Sequence, residues 1–355
     1  MKRCEVDRTK LSPMMQQYME IKDKYEDSII FFRLGDFYEM FFEDAILASR
    51  VLELTLTGKQ AGLEEKVPMC GIPHHAYANY IDELIDKGYK VAICEQLDNP
   101  KETKGMVRRD VIQVVTKGTR IDASIDSKSN NYIANVYDFS YCYGISYADI
   151  STGEVYATLV EGESDKLIKE ITRNGFKEVI VNDTIDREVI DIFRTNYDIL
   201  VTITKDELDD VDYNYIYKDI EDERIVKTIK HLLYYIIDTK KGDLHHLQTC
   251  KIIKSSMYLE FDVNTKKNLE LVETLRNRER QFSLLWLLDK CKTAMGSRFL
   301  KNTILNPLTE KEEIEKRYDL VSLLSTEFIL RDDLIKSLDN VYDLERLVGR
   351  ITYGN

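Results

Sequence analysis

No uncharged apolar run in the 355-residue sequence approaches the ~20 residues that a membrane helix needs. The charged start, MKRCEVDRTK, has no apolar stretch behind it and so is not read as a signal peptide. None of the six cysteines stands in a C-x-x-C pair, which removes the zinc-ribbon and thioredoxin-type readings. Scattered singly, they read as buried reduced thiols. There is no G-x-x-x-x-G-K-[ST] loop: Gly58-Lys59 lacks both the earlier glycine and the following hydroxyl residue, so no nucleotide site of that kind is expected. Internal repeats and low-complexity segments are absent as well. A basic excess is also missing, since the formal net charge is −13, which speaks weakly against a general nucleic-acid binder. These absences predict a soluble, cytoplasmic protein.

What is present is an ordinary globular composition, 43% apolar and 32% charged, in a chain long enough for two or three cores. The acidity is uneven. Residues 1–120 carry 18 basic and 20 acidic side chains, residues 128–255 carry 16 and 24, and residues 256–355 carry 16 and 17. Any contact with a polyanion is therefore expected from the first or last segment.

The order of elements predicts a multi-domain α/β plus all-α chain. Ser12-Pro13 reads as a helix start, followed at helical spacing by Met14, Tyr18, Ile21 and Tyr25. SIIFFRL (28–34) reads as a buried strand, Gly35-Asp36 as a turn, and Phe41–Leu52 as a helix. A strand is expected at Leu54–Thr57, a polar loop at 58–67, a helix through Tyr80 and Leu84, and strands at 91–94 and 111–115. This mixed α/β domain spans 1–120, and a polar linker covers 121–130. Three strands (132–137, 141–149, 155–160) then precede alternating helices and strands across 131–250, the order of a ribonuclease-H-like domain. The last domain, 256–355, reads as nearly all helical from Asn264 on, with Thr309 and Glu312 forming a capping box.

Several side chains invite chemistry. His74-His75 and His245-His246 suggest metal, but adjacent histidines rarely reach one ion and no carboxylate or cysteine cluster accompanies them, so no metal site is assigned. Asp138 and Asp149 lie on the first strands of the middle domain. A two-metal nuclease needs more converging carboxylates than these, and no catalytic residue is assigned. The run GDFYEMF (35–41) is different. If the backbone stays extended, Phe37 and Glu39 share one face and Tyr38 points to the other. A plain reading puts Phe37 in the core and Glu39 in solvent.

A resemblance changes that balance. PMMQQY (13–18), FFRLGDFYEMFFEDA (31–45), LTLTGK (54–59), VPMCGIPHHA (67–76), VAICEQ (91–96) and VTKGT (115–119) closely resemble, in order and spacing, the mismatch-recognition domain of the bacterial MutS family. FDVNTKKNLEL (261–271) and MGSRFLKNTILNPL (295–308) resemble the start of that family's core, or lever, domain. The resemblance implies a mismatch-recognition domain, a ribonuclease-H-like connector and a truncated helical core. It implies that Phe37 inserts from the minor groove beside a mispaired or looped-out base while Glu39 hydrogen-bonds to that base. Lys59, Met69 and Arg109 are implied as nearby DNA contacts. Two departures stand out: PHHA where PYHA is common, and Cys70 where a small residue is frequent. They put exact groove contacts at 70–75 in doubt.

The resemblance also implies that the chain stops short of the family's clamp and ATPase domains. ATP and magnesium then belong to the missing ATPase, and no cofactor and no enzyme activity are expected here. The implied partners are double-stranded DNA with mismatches or small loops and, through the connector, a MutL-type protein. The full-length protein is a homodimer; this piece is expected to be mainly monomeric, with no membrane partner. A docking scaffold built on the acidic middle domain and a metal-dependent nuclease are the competing classes. Preferential binding of mismatched duplex without cleavage separates the first reading from the last.

Overall fold

A computed structural model describes residues 3–98, 106–120, 126–209, 211–253, 257–259 and 261–352. The chain forms two compact units: Met1–Thr119 with Ile236–Gly242, and Arg120–Tyr235 with Asp243–Asn355. Of the expected linker, residues 121–125 lie outside the described residues.

In the first unit, helix α1 (Pro13–Lys24) begins at Pro13, where a missing N–H costs nothing. Its buried residues are Met15, Tyr18, Met19, Ile21 and Lys22; of the expected stripe Tyr18 and Ile21 are buried, while Met14 and Tyr25 are half-buried. Strand β1 (Ser28–Leu34) turns at Gly35, φ +57°, into β2 (Phe37–Phe41). β2 passes without a loop into α2 (Phe42–Val51), the junction being Phe42 at φ +52°, a left-handed conformation that costs a non-glycine residue energy and is held by full burial. Then come β3 (Thr57–Lys59), β4 (Val67–Pro73), α3 (Tyr77–Asp86), β5 (Lys90–Gln96) and β6 (Arg109–Val115).

These strands make one six-stranded sheet, ordered β3-β4-β2-β1-β5-β6. Only β1 and β5 run parallel. One face packs Phe32 and Phe41 against Tyr18 and Met15 of α1. The other packs Phe31, Tyr38, Met40 and Ile72 against Ala45, Leu84 and Ile85 of α2 and α3. Asp44 ties the layers together, accepting from Lys22 Nζ at 2.8 Å, the Ile30 amide at 3.0 Å and the Tyr18 hydroxyl at 3.2 Å.

Two expectations in this unit need correction. The strand expected at Leu54–Thr57 is displaced: Leu54 packs on the α2–α3 side and the edge strand is Thr57–Lys59. β4 was not expected at all. Pro68 and Pro73 argue against a strand, but both are tolerated because β4 gains its partners from β2 and β3 through the other residues.

The second unit opens with an antiparallel meander of β7 (Tyr132–Asp138), β8 (Cys142–Asp149) and β9 (Glu154–Glu161). Helix α4 (Ser164–Asn174), β10 (Glu178–Val181), α5 (Arg187–Tyr197), β11 (Leu200–Ile203) and α6 (Glu223–Lys240) follow. With the short β12 (Lys251–Ile252), the sheet order is β11-β10-β7-β8-β9-β12. β10 lies parallel to both β7 and β11, the ribonuclease-H-like arrangement.

The last hundred residues hold α7 (Val263–Asn268), α8 (Leu284–Leu288), α9 (Ala294–Leu305), α10 (Lys311–Thr326), α11 (Phe328–Leu338) and α12 (Leu344–Thr352). They are less helical than expected. Residues 269–283 are irregular, with Glu270, Arg278 and Phe282 at positive φ. There the Glu270 carboxylate accepts from the Leu275 amide at 2.8 Å, a side-chain bond that competes with helix. The Thr309 cap is also corrected. Its amide donates to Met257 O beside a Tyr258–Leu308 bridge, and α10 starts after Glu310 with no side-chain cap. Cys4 is exposed and Cys291 half-exposed; the other four cysteines are buried. Among the described residues no helix is long and apolar enough to cross a membrane.

Candidate nucleic-acid interface

The β1–β2 hairpin positions the pair singled out by sequence. Its turn is clipped from two sides: Arg33 Nε donates to Gly35 O at 2.5 Å, and the His74 amide donates to Asp36 O at 2.9 Å. The His74 ring, through Nδ1, lies 3.2 Å from the same carbonyl. With the turn fixed, alternation along β2 does the rest. Tyr38 and Met40 go into the α2–α3 core, at 3% and 0% exposure. The Tyr38 hydroxyl donates to Glu95, and burial with that carboxylate pushes its pKa up. Phe37 and Glu39 point to the opposite face, as expected. Phe37 is 48% exposed. It is therefore not a core residue, which is where the plain reading had placed it.

Antiparallel partners share a face, so strand register shows what lies beside the pair. Phe37 faces Pro73, Glu39 faces Gly71 and Phe41 faces Met69 across β2–β4; Met69 in turn faces Thr57, and Val67 faces Lys59, across β3–β4. Lys59 and Met69 thus join Phe37 and Glu39 on one face. Lys59 Nζ bonds Glu39 Oε2 and lies 5.6 Å from the Phe41 ring centroid. Met69 is half-buried, and its backbone carbonyl accepts from Thr57 Oγ1 at 3.0 Å. α1 covers this face over Phe32 and Phe41 and leaves the Phe37 end open.

Arg109 is on the same face but is engaged inside the fold. It donates to Arg33 O at 2.8 Å, Val107 O at 3.0 Å and Gln17 Oε1 at 3.3 Å, and its guanidinium lies 5.2 Å from the Phe32 ring. Burial lowers its pKa. It braces the end of β1 just before the hairpin turn.

The other sequence candidates are local devices. Asp149 is fully buried and accepts from Ser151 Oγ at 2.6 Å, the Ser151 amide at 2.9 Å, Asn130 Nδ2 at 3.0 Å and the Asn131 amide at 3.1 Å. Asp138 accepts from the Ser140 amide at 2.7 Å. Among the described residues no three His, Cys, Asp or Glu side chains are grouped to hold a metal ion. His245 stacks on Tyr213, with ring centroids 5.3 Å apart, and His246 donates to Ile150 O at 2.8 Å.

Sequence reasoning missed the brace. Gly71, opposite Glu39, presents no side chain beside that carboxylate, though a Cβ there would meet Glu39 Cγ at an ordinary contact distance of 3.5 Å. The alternation Val67, Met69, Gly71 was the available signal for β4, obscured by the two prolines.

Comparison with known proteins gives consistent matches. Three family models align in series: MutS domain I with residues 12–124, MutS domain II with 131–248 and MutS domain III with 264–355. A protein of Listeria innocua described as DNA mismatch repair protein MutS is 46% identical over 98% of this chain and 41% of its own length. Proteins of the same description from Bacillus mycoides and Bacillus thuringiensis are 43% and 42% identical over 98% of this chain and 39% of theirs. The chain thus spans about two fifths of the length of the relatives it matches. The open end of the first sheet lies inside the segment matched by domain I.

Proposed function

The chain belongs to the MutS family, and from that premise we propose that it recognises mismatched or looped-out bases in double-stranded DNA. Phe37 enters the base step from the minor groove, and Glu39 accepts a hydrogen bond from the displaced base. The observation that supports this most is a half-exposed phenylalanine on a rigid hairpin, sharing its face with a carboxylate and a lysine. Wedging an apolar ring between stacked bases costs a few kcal/mol per step. A mismatch has already lost part of its pairing, so the same deformation is cheaper there, and selectivity comes from deformability without reading of sequence. Met69 widens the apolar surface beside the wedge, and Arg109 supports it from behind by holding the end of β1.

In this reading residues 1–120 are the recognition domain. Residues 131–250 are a connector that docks a MutL-type protein, and 256–355 begin the core. The sequence carries no phosphate-binding loop, so the chain itself turns over no ATP. ATP, magnesium and homodimer formation belong to the full-length family protein in the cytoplasm.

Affinity for matched and G·T duplexes, measured for the wild type and Phe37→Ala in one buffer, tests the reading. The wild type should prefer the G·T duplex and Phe37→Ala should lose that preference with its melting temperature retained. An unchanged preference in folded Phe37→Ala would falsify the wedge assignment.

A further inference from the structure

We infer that Lys59 is the standing counterion of Glu39 and thereby sets how strongly the protein rejects matched duplex, an inference that rests on the mismatch reading above. A carboxylate on a DNA-facing patch repels phosphates at every base pair, whether or not a displaced base offers it a donor. The geometry shows how that repulsion is moderated. Lys59 and Glu39 are on strands separated by β4, and their partners there, Val67 and Gly71, are four residues apart. To reach Glu39, Lys59 sends its head group diagonally over β4, beside the Phe41 ring. Gly71 presents no side chain in the way. The stem is sheltered, with the two side chains 28% and 16% exposed, so the pair is screened less than a surface ion pair.

The contact uses one carboxylate oxygen. Lys59 bonds Oε2, and among the described residues no hydrogen bond is made to Oε1. One oxygen is neutralised by the chain itself while the other stays available as an acceptor. Lys59 therefore acts through Glu39 as a positioning residue, and its charge is already committed before a phosphate approaches.

A double-mutant cycle on the full chain separates this from an ordinary phosphate contact. Glu39→Gln, Lys59→Met, the double variant and Lys59→Arg are titrated against matched and G·T duplexes by fluorescence anisotropy at several salt concentrations. Methionine keeps a stem beside Phe41 and removes only the charge. Lys59→Met should weaken binding of matched duplex by about tenfold, within the coupling range of contacting charged groups. That loss should vanish when Glu39 is already glutamine, and Lys59→Arg should rescue it. In the Glu39→Gln background Lys59→Met should leave the salt dependence unchanged. Equal losses in both backgrounds, with the log–log salt slope falling by about 0.9 as for one released phosphate contact, would overturn the inference while the mismatch reading stands. A wild type that binds G·T duplex no better than matched duplex overturns the reading and the inference with it.

Discussion

Each of the two six-stranded sheets carries a sheltered carboxylate, Asp149 in one and Glu39 in the other, and the surroundings of these two acids are opposite. Asp149, ending β8, has no exposure and four donors, from Ser151 after it and from Asn130 and Asn131 just before β7. It caps the Ile150–Gly153 turn and has no bonding capacity to spare for an outside group. Glu39, in β2, has Lys59 as its one side-chain partner among the described residues and sits beside a half-exposed phenylalanine. Helix α6 satisfies buried polar groups of β7 in the second sheet. Asn135 donates to Thr228 O at 2.9 Å and lies 2.6 Å from His231 Nδ1. A saturated buried network fixes a fold, whereas a polar group with one committed oxygen and one open oxygen is ready for a ligand. A ribonuclease-H-like topology does not make the second sheet a nuclease, because function lies in the site and not in the fold.

The sharpest test of this contrast compares two phenylalanines. Phe193, on α5 against the second sheet, has no exposure. Phe193→Ala should destabilise its unit by about 3–5 kcal/mol, the usual cost of emptying a core site of that size. Phe37→Ala should cost less than about 1 kcal/mol, since little packing is lost from a half-exposed ring. Denaturant melts of both variants decide it, and comparable losses would place Phe37 in a core. The carboxylates come next. Asp149→Ala leaves buried amide donors without an acceptor and should cost about 3 kcal/mol. Glu39→Ala should cost only about 1 kcal/mol, the loss of one partly sheltered ion pair, and should raise affinity for matched duplex. A stable Asp149→Ala protein would show that the closed network is dispensable.

How far the sequence carried these assignments differs by region. The buried run SIIFFRL and the alternation Phe37, Tyr38, Glu39 were legible because a strand's period of two is a local property. The three-strand meander was legible for the same reason. β4 was not, since Pro68, Gly71 and Pro73 weaken its local signal and its pairing with β2 and β3 supplies what propensity does not. Without β4, Lys59 and Met69 could be named only by resemblance; their place on the Phe37 face is tertiary information. The same holds for the Lys22–Asp44 pair and for the His74 clip on the hairpin turn, which join residues far apart in sequence. The irregular stretch 269–283 shows the opposite failure. The segment was read as mostly helical, but the Glu270 carboxylate bonds the Leu275 amide there and the stretch is irregular.

The smallest expected effect is a pH dependence confined to the second unit. His231 is fully buried, and His246 is half-buried with its Nε2–H donated to Ile150 O. Burial lowers the pKa of both below the ordinary histidine value. In the unfolded chain each imidazole titrates near about 6.5. The folded form binds the proton less readily, so the stability each contributes is complete above that pH and is lost as pH falls through the folded value. Carboxylates held low in the same unit, such as Asp343 with burial offset by the Arg298 bonds, lose their contribution only below the ordinary carboxylate range, well clear of this window. Between pH 7 and 5.5, hydrogen exchange should therefore quicken in β7, β8 and α6 relative to the first sheet, which holds neither of these histidines. His246→Gln can still donate to Ile150 O and does not titrate, so its profile over that range should be flatter than that of the wild type. Equal acid loss in both sheets, or a His246→Gln profile as steep as the wild type, would locate the titrating groups elsewhere.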